Sequence, residues 1–269
     1  MNYKESIKKR ISDLFFFYFN IFGQSNGIRI LMYHAIETKL GNQFDDMFSV
    51  SKNSFKSQIE TLYQDNAVDF ISFNASSMEV DKTKLKISIT FDDGFSDNLY
   101  YAAPILVEKS IPFTVFVTSD NVKYNKNKYL NRKELYELSQ LPNVTIGSHG
   151  MTHRSLNSIK DVELKNELVG SKIFLEDVIG KEVISISYPS GEYDNKVIQC
   201  AKDVGYIIGG TSKFDINNKI KDLMALSRSV ILRNDDEKIF LQKIYGAWDW
   251  YRIWDTYRKI TNIGSSIYN

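Results

Sequence analysis

The chain has 269 residues, which suits one large domain or two small ones. Hydrophobic residues make up 43% and charged residues 25%, the composition of an ordinary soluble globular protein. The net charge of +1 gives no electrostatic reason to expect a nucleic-acid partner, and the single cysteine, Cys200, excludes a disulfide within the chain.

The N-terminal segment, residues 1–25, combines basic and aromatic residues. The basic KKR at residues 8–10 precedes the apolar run LFFFYFNIF at residues 14–22. That run is far shorter than the ~20 apolar residues that cross a bilayer. The following GQSNGIRI lacks the small-residue cleavage site of a secretory signal. We therefore expect a helix that lies on the protein or on a membrane surface, ahead of a domain over residues 26–269.

From residue 28 the chain alternates between short apolar runs and amphipathic stretches. The apolar runs are rich in β-branched and aromatic residues and predict strands, whereas the stretches between them have helical periodicity. The predicted strands cover residues 28–33, 85–91, 112–119, 143–148, 182–188, 205–210 and 225–232. The predicted helices cover residues 51–64, 98–110, 132–140 and 161–180, with a fifth running through Cys200.

This alternation of strands and helices is typical of a parallel α/β architecture. Seven predicted strands in a chain of this size favour a (β/α) barrel, for which ~250 residues is usual. A doubly wound sheet is the alternative, although no GxGxxG sequence follows the first predicted strand. Because no internal repeat or low-complexity linker interrupts the pattern, a single domain is the simplest organisation.

Two adjacent carboxylates, Asp92 and Asp93, directly follow a predicted strand in the sequence ITFDDG. Like charges side by side raise each other's proton affinity, so either the pair lies in a solvated turn or a positive group faces it. The three histidines of the chain, His34, His149 and His153, also follow predicted strands. In a parallel α/β fold the carboxyl ends of the strands meet at one rim, where active sites are built.

Each of these features has a simpler interpretation when it stands alone. A strand followed by Asp-Asp-Gly is commonly a turn, and a lone histidine is more often a hydrogen-bonded structural residue than a ligand. The convergence of every histidine and the acidic pair on one rim favours a shared site. The spacing of His149 and His153 predicts that both imidazoles lie on the same side of a helical turn, where they can bind one metal ion.

A divalent cation bound by one aspartate together with His149 and His153 would resolve the repulsion within the acidic pair. One carboxylate would be a ligand, and the other would stay ionised beside the cation and could accept a proton from water. Two histidines and one carboxylate leave coordination positions open, which is typical of a catalytic site. The same ligands suit a non-haem iron oxygenase, but the predicted helices argue against the β-sandwich common in that class.

These motifs resemble those of the polysaccharide deacetylase family, carbohydrate esterases that remove N-acetyl groups from chitin, peptidoglycan and exopolysaccharides. The matching stretches, in the family's order, are LMYHAI at 31–36, TFDDG at 90–94, SHGMTH at 148–153, SYPSGEYD at 187–194 and LSRSVI at 226–231. TFDDG combined with the His-x-x-x-His pair is the most specific part. LMYHAI is similar to the branch that acts on biofilm and surface polysaccharides.

The resemblance implies a distorted (β/α)7 barrel and a set of roles. By this resemblance, Asp93, His149 and His153 bind the metal. Asp92 is the general base, and Ser190 offers its backbone N–H to the oxyanion. Zn²⁺ is the favoured metal, and Co²⁺ and Ni²⁺ are compatible with the same ligands.

The sequence departs from the family pattern at two places. Many relatives carry an arginine shortly before the proline of the SYPSGEYD stretch, where this chain has Ser187 and Tyr188. Arg228 is expected to hold the base instead, through a charge-assisted hydrogen bond. Many relatives take their general acid from a late histidine, but no histidine follows His153. His34 is therefore expected to be the acid, as in the branch with an N-terminal Tyr-His pair.

The activity implied by the resemblance is removal of N-acetyl groups from a sugar of a polysaccharide or of a glycan precursor, such as a lipid-linked sugar, as in cell-surface polysaccharide biosynthesis. Two alternatives stay open. A related barrel hydrolase could open a small cyclic amide, which an assay of imide ring opening would detect. An inactive glycan-binding pseudoenzyme is the other, and metal analysis of the purified protein would separate it from the enzyme.

The C-terminal stretch, residues 245–260, holds all three tryptophans and is expected to form a helix that packs on the barrel. Tryptophan and tyrosine also favour the interface layer of membranes, so this stretch and the aromatic run at 14–22 allow peripheral membrane association. Without a convincing signal peptide, the expected location is the cytoplasm or the cytoplasmic face of the inner membrane.

Overall fold

The computed structural model of the chain describes residues 3–22, 27–41, 45–75 and 83–250. The strands in these ranges are β1 (Ile28–Tyr33), β2 (Ala35–Ile36), β3 (Ser49–Val50), β4 (Val68–Phe70), β5 (Leu85–Phe91), β6 (Phe113–Val117), β7 (Val144–Ser148), β8 (Ser185–Ser187), β9 (Ile208–Gly210) and β10 (Ser229–Val230). The α-helices are α1 (Tyr3–Phe22), α2 (Lys52–Gln64), α3 (Ala103–Glu108), α4 (Ser119–Lys123), α5 (Arg132–Gln140), α6 (Asp161–Ile179), α7 (Asn195–Val204) and α8 (Glu237–Ile244).

Seven strands form a curled parallel sheet in the order β10-β1-β5-β6-β7-β8-β9, and β4 pairs with the first residues of β5. The sheet closes through one short segment. Leu226 bridges Gly210 of β9 just before the chain enters β10, and β10 pairs with β1, with Ser229 opposite Leu31. The expected distorted (β/α)7 barrel in a single domain is therefore confirmed, and the doubly wound alternative is wrong.

The two faces of the barrel strands carry different side chains. Because alternate residues of a strand point to opposite faces, Ile87, Ile89 and Phe91 of β5 pack into the large apolar cluster under the helices. The interior face carries a second apolar cluster, with Ile30 and Phe116, and small hydroxyl side chains, among them Ser88, Thr90, Thr114, Ser185 and Ser187, all buried. Small interior residues leave room inside the barrel for one large polar side chain, Arg228, which is fully buried.

Most predicted elements lie within a few residues of their predicted bounds. The strand over 85–91 and the helix over 132–140 match, and α6 ends before Gly180, whose φ of 66° makes a left-handed cap. The predicted helix 98–110 instead begins with a π-helical turn over Asn98–Ala102, and α3 follows with a proline in its first turn. The short elements β2, β3, β4, α4 and α8 have no counterpart among the predictions because so few residues show no clear periodicity.

The predicted C-terminal helix is wrong over the residues that the structure describes. α8 ends at Ile244, and residues 245–250 form turns. The reason is Gly246, whose φ of 91° lies in the left-handed region and interrupts a helix. The rest of the predicted helix, with Trp254, lies outside the described residues.

The N-terminal helix α1 falls within the segment 1–25 that the sequence separates from the barrel, and the boundary at residue 25 stays a prediction. Among the helices of the described residues, none combines the length and the apolar character of a membrane-crossing segment.

A buried ion pair holds the chain after α8 to the start of β1. The side chain of Arg29 is fully buried, and its guanidinium donates to both carboxylate oxygens of Asp249 at 2.8 and 3.0 Å. Arg29 also donates to the backbone oxygen of Ile244 at 3.1 Å and to Oγ of Ser229 at 3.2 Å. This end of the barrel, opposite to the carboxyl ends of the strands, is therefore held by charge-assisted hydrogen bonds.

Replacing Asp249 with alanine should lower the free energy of unfolding by about 3 kcal/mol, because the Arg29 guanidinium would stay buried without a counter-charge. Urea denaturation measures the loss. The matched control is Asp69→Ala, which removes an exposed ion pair with Lys84 at 2.8 Å and should cost less than about 1 kcal/mol. Equal small losses in both variants would contradict a structural role for the buried pair.

Candidate active site

The structure brings the acidic pair and the histidines to the rim formed by the carboxyl ends of the strands. Asp92 and Asp93 follow β5, His149 follows β7, and His34 follows β1. One ligand atom each from Asp93, His149 and His153 lies within 4.8 Å of the other two. The three residues that the sequence suggests as metal ligands are thus adjacent in space.

The distances within this group fit a single small cation. Oδ1 of Asp93 lies 3.5 Å from Nε2 of His149 and 3.3 Å from Nε2 of His153. Ligands that bind Zn²⁺ tetrahedrally at about 2.0–2.1 Å are about 3.3 Å apart. The carboxylate and the two imidazoles are therefore spaced as ligands of one ion, and their donor atoms are of the type that Zn²⁺ prefers.

The hydrogen bonding of His149 leaves the nitrogen that faces Asp93 free to bind a cation. Nδ1 of His149 donates to the backbone oxygen of Ser187 at 2.8 Å, so in the neutral ring Nε2 carries the lone pair. Burial lowers the pKa of His149 to about 4. The ring is thus neutral near neutral pH and held in the ligand tautomer by its second hydrogen bond.

The expected helical turn between His149 and His153 is wrong. Residues 149–153 form a loop in which Gly150 and His153 have φ values of 74° and 65°. These left-handed residues turn both imidazoles toward Asp93, with ring centroids 4.9 Å apart. His153 is the more open of the two, with 43% of its side chain exposed. Burial is the largest single effect and opposes its protonation, but the hydrogen bond to Asp93 and the charges of Asp93 and Asp92 together raise the pKa of His153.

A buried glutamate that the sequence analysis missed holds this loop in place. Glu167 of α6 is only 3% exposed. Its Oε2 accepts the backbone N–H groups of Met151 and Thr152 at 3.0 and 2.9 Å, and its Oε1 accepts the Thr152 hydroxyl at 2.6 Å. A signal was present in the sequence, because Glu167 occupies the apolar face of α6 between Leu164 and Ser171, where a charged residue is unusual.

The second acidic residue, Asp92, pairs with Arg228 inside the barrel. The Arg228 guanidinium donates to both oxygens of Asp92, each at 2.7 Å. It also donates to Oγ1 of Thr90 at 3.3 Å, to the backbone oxygen of Thr211 at 2.9 Å and to Oγ of Ser187 at 2.7 Å. All five N–H groups of the arginine therefore have acceptors, as a buried guanidinium requires. The Ser187 hydroxyl donates to Asp92 in turn, at 3.0 Å, a contact that the sequence analysis missed.

The two adjacent aspartates thus face different partners, which explains how the chain tolerates them side by side. Burial opposes ionisation of Asp92, but the Arg228 guanidinium outweighs it and holds the pKa of Asp92 well below its usual value. Burial likewise opposes ionisation of Asp93, and the hydrogen bond with His153 lowers that pKa. Asp93 has a φ of 74°, a left-handed conformation that residues other than glycine rarely adopt.

The backbone at His34 is held by Asp97 and Asn98, which follow the two aspartates in the sequence. Asn98 donates to the backbone oxygen of His34 at 2.9 Å, and Asp97 accepts the N–H of Ile36 at 2.8 Å. The His34 ring packs on Phe48, with centroids 4.8 Å apart. His34 therefore lies on the same rim as the two aspartates.

Ser190 lies on the same rim, in the short 3-10 turn Pro189–Gly191 that follows β8. It is exposed and has a φ of 58°, so another left-handed residue borders the site. Its expected role as an oxyanion donor stays a prediction.

Comparison with known proteins assigns the residues of this rim to a family. The family model described as polysaccharide deacetylase matches residues 79–208, which include both aspartates, both candidate ligand histidines and Ser190. Over this stretch the chain matches the polysaccharide deacetylase family. The expectation from the sequence is confirmed, while His34 and Arg228 lie outside the matched stretch and depend on the geometry described above.

Three relatives show how far the likeness extends. YxkH of Bacillus subtilis (strain 168), named after the same family, is 27% identical over 203 residues, which are 74% of this chain and 69% of YxkH. The structure of the Streptococcus pyogenes deacetylase PplD in complex with acetate is 26% identical, with a TM-score of 0.71, over 82% of this chain and 99% of that one. BC0361, a polysaccharide deacetylase from Bacillus cereus, is 29% identical, with a TM-score of 0.70, over 82% and 69%.

Replacing Glu167 with alanine should weaken Zn²⁺ binding about 10–100-fold, because the loop that carries both histidines would lose its anchor. Isothermal titration calorimetry measures the affinity, and Glu167→Gln, which keeps an acceptor oxygen, should fall between wild type and alanine. Asp177→Ala, at an exposed position of the same helix, is the control. A Glu167→Ala variant that folds and binds Zn²⁺ like wild type would contradict this role.

The buried carboxyl of Asp97, which bonds the chain next to His34, should make the free energy of unfolding depend on pH. Burial raises the pKa of Asp97 to about 7, above the value near 3.9 of an unfolded chain. The native state then keeps a proton that the unfolded state releases, so this contribution is present below about pH 4 and is lost as pH rises toward 7. Wild type should therefore lose about 2–4 kcal/mol relative to Asp97→Asn across this window in urea denaturation. A difference independent of pH would contradict the shift.

Proposed function

We propose that the chain is a metal-dependent N-deacetylase that hydrolyses the N-acetyl amide of a sugar in a glycan or glycan precursor, releasing acetate and a free sugar amine. The observation that carries the proposal is the juxtaposition, at one barrel rim, of the open Asp93–His149–His153 group with the Asp92–Arg228 ion pair. A divalent-ion ligand set without a neighbouring ionised acceptor would have fitted a purely structural site equally well.

Asp93, His149 and His153 would hold the cation, with Zn²⁺ favoured and Co²⁺ or Ni²⁺ compatible. When bound, such an ion supplies an acidified water and polarises the acetyl carbonyl. The protein contributes a neutral His149 held in the ligand tautomer and a carboxylate at ligand distance. Three protein ligands leave room for water and substrate.

Asp92 would receive the proton of the attacking water. Its ion pair with Arg228 keeps it ionised, and its Oδ2 lies 4.0 Å from Nε2 of His149, next to the metal ligands. A carboxylate of such low pKa is a weak base, and it therefore suits a water that is already acidified. Arg228 acts through Asp92: it holds the carboxylate in place by two parallel hydrogen bonds.

His34 would deliver a proton to the leaving nitrogen, and the backbone N–H of Ser190 would stabilise the oxyanion. The balance of the reaction is simple. The amide C–N bond breaks, the water oxygen joins the acetyl carbon, and the nitrogen gains a proton as the sugar amine leaves. His34 suits this role because it follows β1 at the same rim, where Asn98 holds its backbone and its ring packs on Phe48.

The openness of the site supports an extended substrate over a small enclosed one. His153 and Asp93 keep 43% and 20% of their side chains exposed, and Ser190 is exposed on the rim. The named relatives give further support: one structure is that of a deacetylase holding acetate, the product of such a reaction, and another is that of a polysaccharide deacetylase. A lipid-linked sugar is one glycan precursor of this class.

His34→Ala and Asp92→Asn should each reduce acetate release at least about 100-fold, because each removes one partner of proton transfer. Removal of divalent ions with a chelator should abolish activity, and added Zn²⁺ should restore it. The assay measures free acetate from N-acetylated oligosaccharides, and thermal unfolding checks that each variant is folded. Val162→Ser, at an exposed site on α6, serves as the control.

Full acetate release from any of the folded variants would overturn the role of that residue. Ring opening of a cyclic imide without acetate release from any sugar would assign the chain to the alternative hydrolase. Absence of both reactions, in a purified protein that holds no metal, would favour the inactive glycan-binding alternative.

A further inference from the structure

The N-terminal helix α1 contacts the rest of the protein largely through polar side chains. Ser12 is fully buried, and its Oγ accepts the indole N–H of Trp250 at 3.1 Å. Asp13 pairs with Lys238 at 2.6 Å and accepts Nε2 of Gln242 at 2.7 Å. Lys238 and Gln242 belong to α8, so the polar side of α1 faces the barrel.

The opposite side of α1 carries exposed apolar side chains. Leu14 and Phe17 are 72% and 68% exposed, and Ile7 is 41% exposed. Ile7 and Leu14 are two helical turns apart and Phe17 follows within one turn, so the three share one side of the helix. Phe16, on the inner side, packs against the core. A surface helix of a soluble domain normally turns its apolar residues toward the core. In α1, Ile7, Leu14 and Phe17 instead point away from it.

The charge of α1 indicates what this outer face contacts. Its first eight residues, YKESIKKR, contain four basic residues and one acidic residue. Arg10 is exposed and lies, by helical spacing, between Ile7 and Leu14 on the apolar side. A symmetric contact between two copies would bring the same basic cluster into one interface from both sides. An anionic lipid surface would instead neutralise it.

The neighbouring aromatic residues suit the same partner. The indoles of Trp248 and Trp250 stack with centroids 6.5 Å apart, both side chains are partly exposed, and Trp250 contacts Ser12. Tryptophan is enriched at the boundary between lipid headgroups and acyl chains. Trp250 contacts the inner side of α1, so the tryptophans flank the helix and the exposed stripe with Arg10 carries the argument.

We propose that α1 lies on an anionic bilayer surface, with Ile7, Leu14 and Phe17 at the acyl boundary and Arg10 among the headgroups. The helix would lie in the interface plane, as amphipathic anchors do. This binding does not depend on the deacetylation chemistry, and it would hold the barrel close to a lipid-linked or surface glycan. The expected location at the cytoplasmic face of a membrane stays a prediction.

Vesicle flotation of the full chain tests the proposal. Wild type should float with vesicles of phosphatidylcholine and phosphatidylglycerol, and less with phosphatidylcholine alone. The double variant Leu14→Ser/Phe17→Ser should reduce the bound-to-free ratio at least about tenfold, because two apolar side chains leave the acyl boundary. The matched control Val162→Ser/Ile173→Ser changes two equally exposed apolar residues of α6 and should float like wild type. Arg10→Gln should weaken binding only to the anionic vesicles and reduce its salt dependence.

Three results would overturn the proposal. Wild type could stay in the soluble fraction with every vesicle, or the Leu14/Phe17 variant could float as well as wild type. Light scattering could instead show a wild-type dimer that this variant dissociates, without vesicle binding, which would assign the face to a second copy of the chain.

The activity assay keeps this inference separate from the proposed function. The Leu14→Ser/Phe17→Ser variant should release acetate from a soluble N-acetylated oligosaccharide at the wild-type rate and unfold at the wild-type temperature, since both side chains are exposed. Loss of vesicle binding with full acetate release supports the surface, and a wild type that binds vesicles without releasing acetate contradicts only the proposed function.

Discussion

The buried ion pair between Arg228 and Asp92 is the interaction on which the candidate site depends. It gives the two adjacent carboxylates different partners: Asp92 is held by Arg228, and Asp93 is left to the histidines. The pair is fully buried and fully hydrogen-bonded, so removal of either partner would leave an uncompensated charge inside the barrel. The ion pair therefore keeps Asp92 ionised although it is buried, as the proposed chemistry requires.

Barrel closure and the site share one segment of chain. Arg228 lies between Leu226, which bridges β9, and β10, which pairs with β1. Position 210 of β9 requires a glycine, since a Cβ there would lie only 2.9 Å from Nε of Arg228. The same tight coupling recurs on the rim, where Glu167 orders the histidine loop and Asn98 holds His34. Catalytic geometry is thus set by buried polar contacts from elements that also build the fold.

The sequence was sufficient for the fold class and for the set of rim residues, because apolar periodicity and the position of polar residues after strands are local signals. It was insufficient for the conformation of the loop between His149 and His153, since left-handed backbone at a histidine leaves no mark in residue spacing. Glu167 and Ser187 were missed because their roles arise from contacts distant along the chain. The prediction of a C-terminal helix was wrong because it did not allow for Gly246, whose left-handed backbone interrupts the helix.

The central claim is that Asp93, His149 and His153 bind one divalent cation at the barrel rim. Anomalous diffraction at the zinc absorption edge, from crystals grown with Zn²⁺, tests it most directly. The account predicts one strong peak at about 2.0–2.2 Å from a carboxylate oxygen of Asp93 and from Nε2 of both histidines. A peak elsewhere in the molecule, or no peak at this position in a zinc-containing crystal, would contradict it.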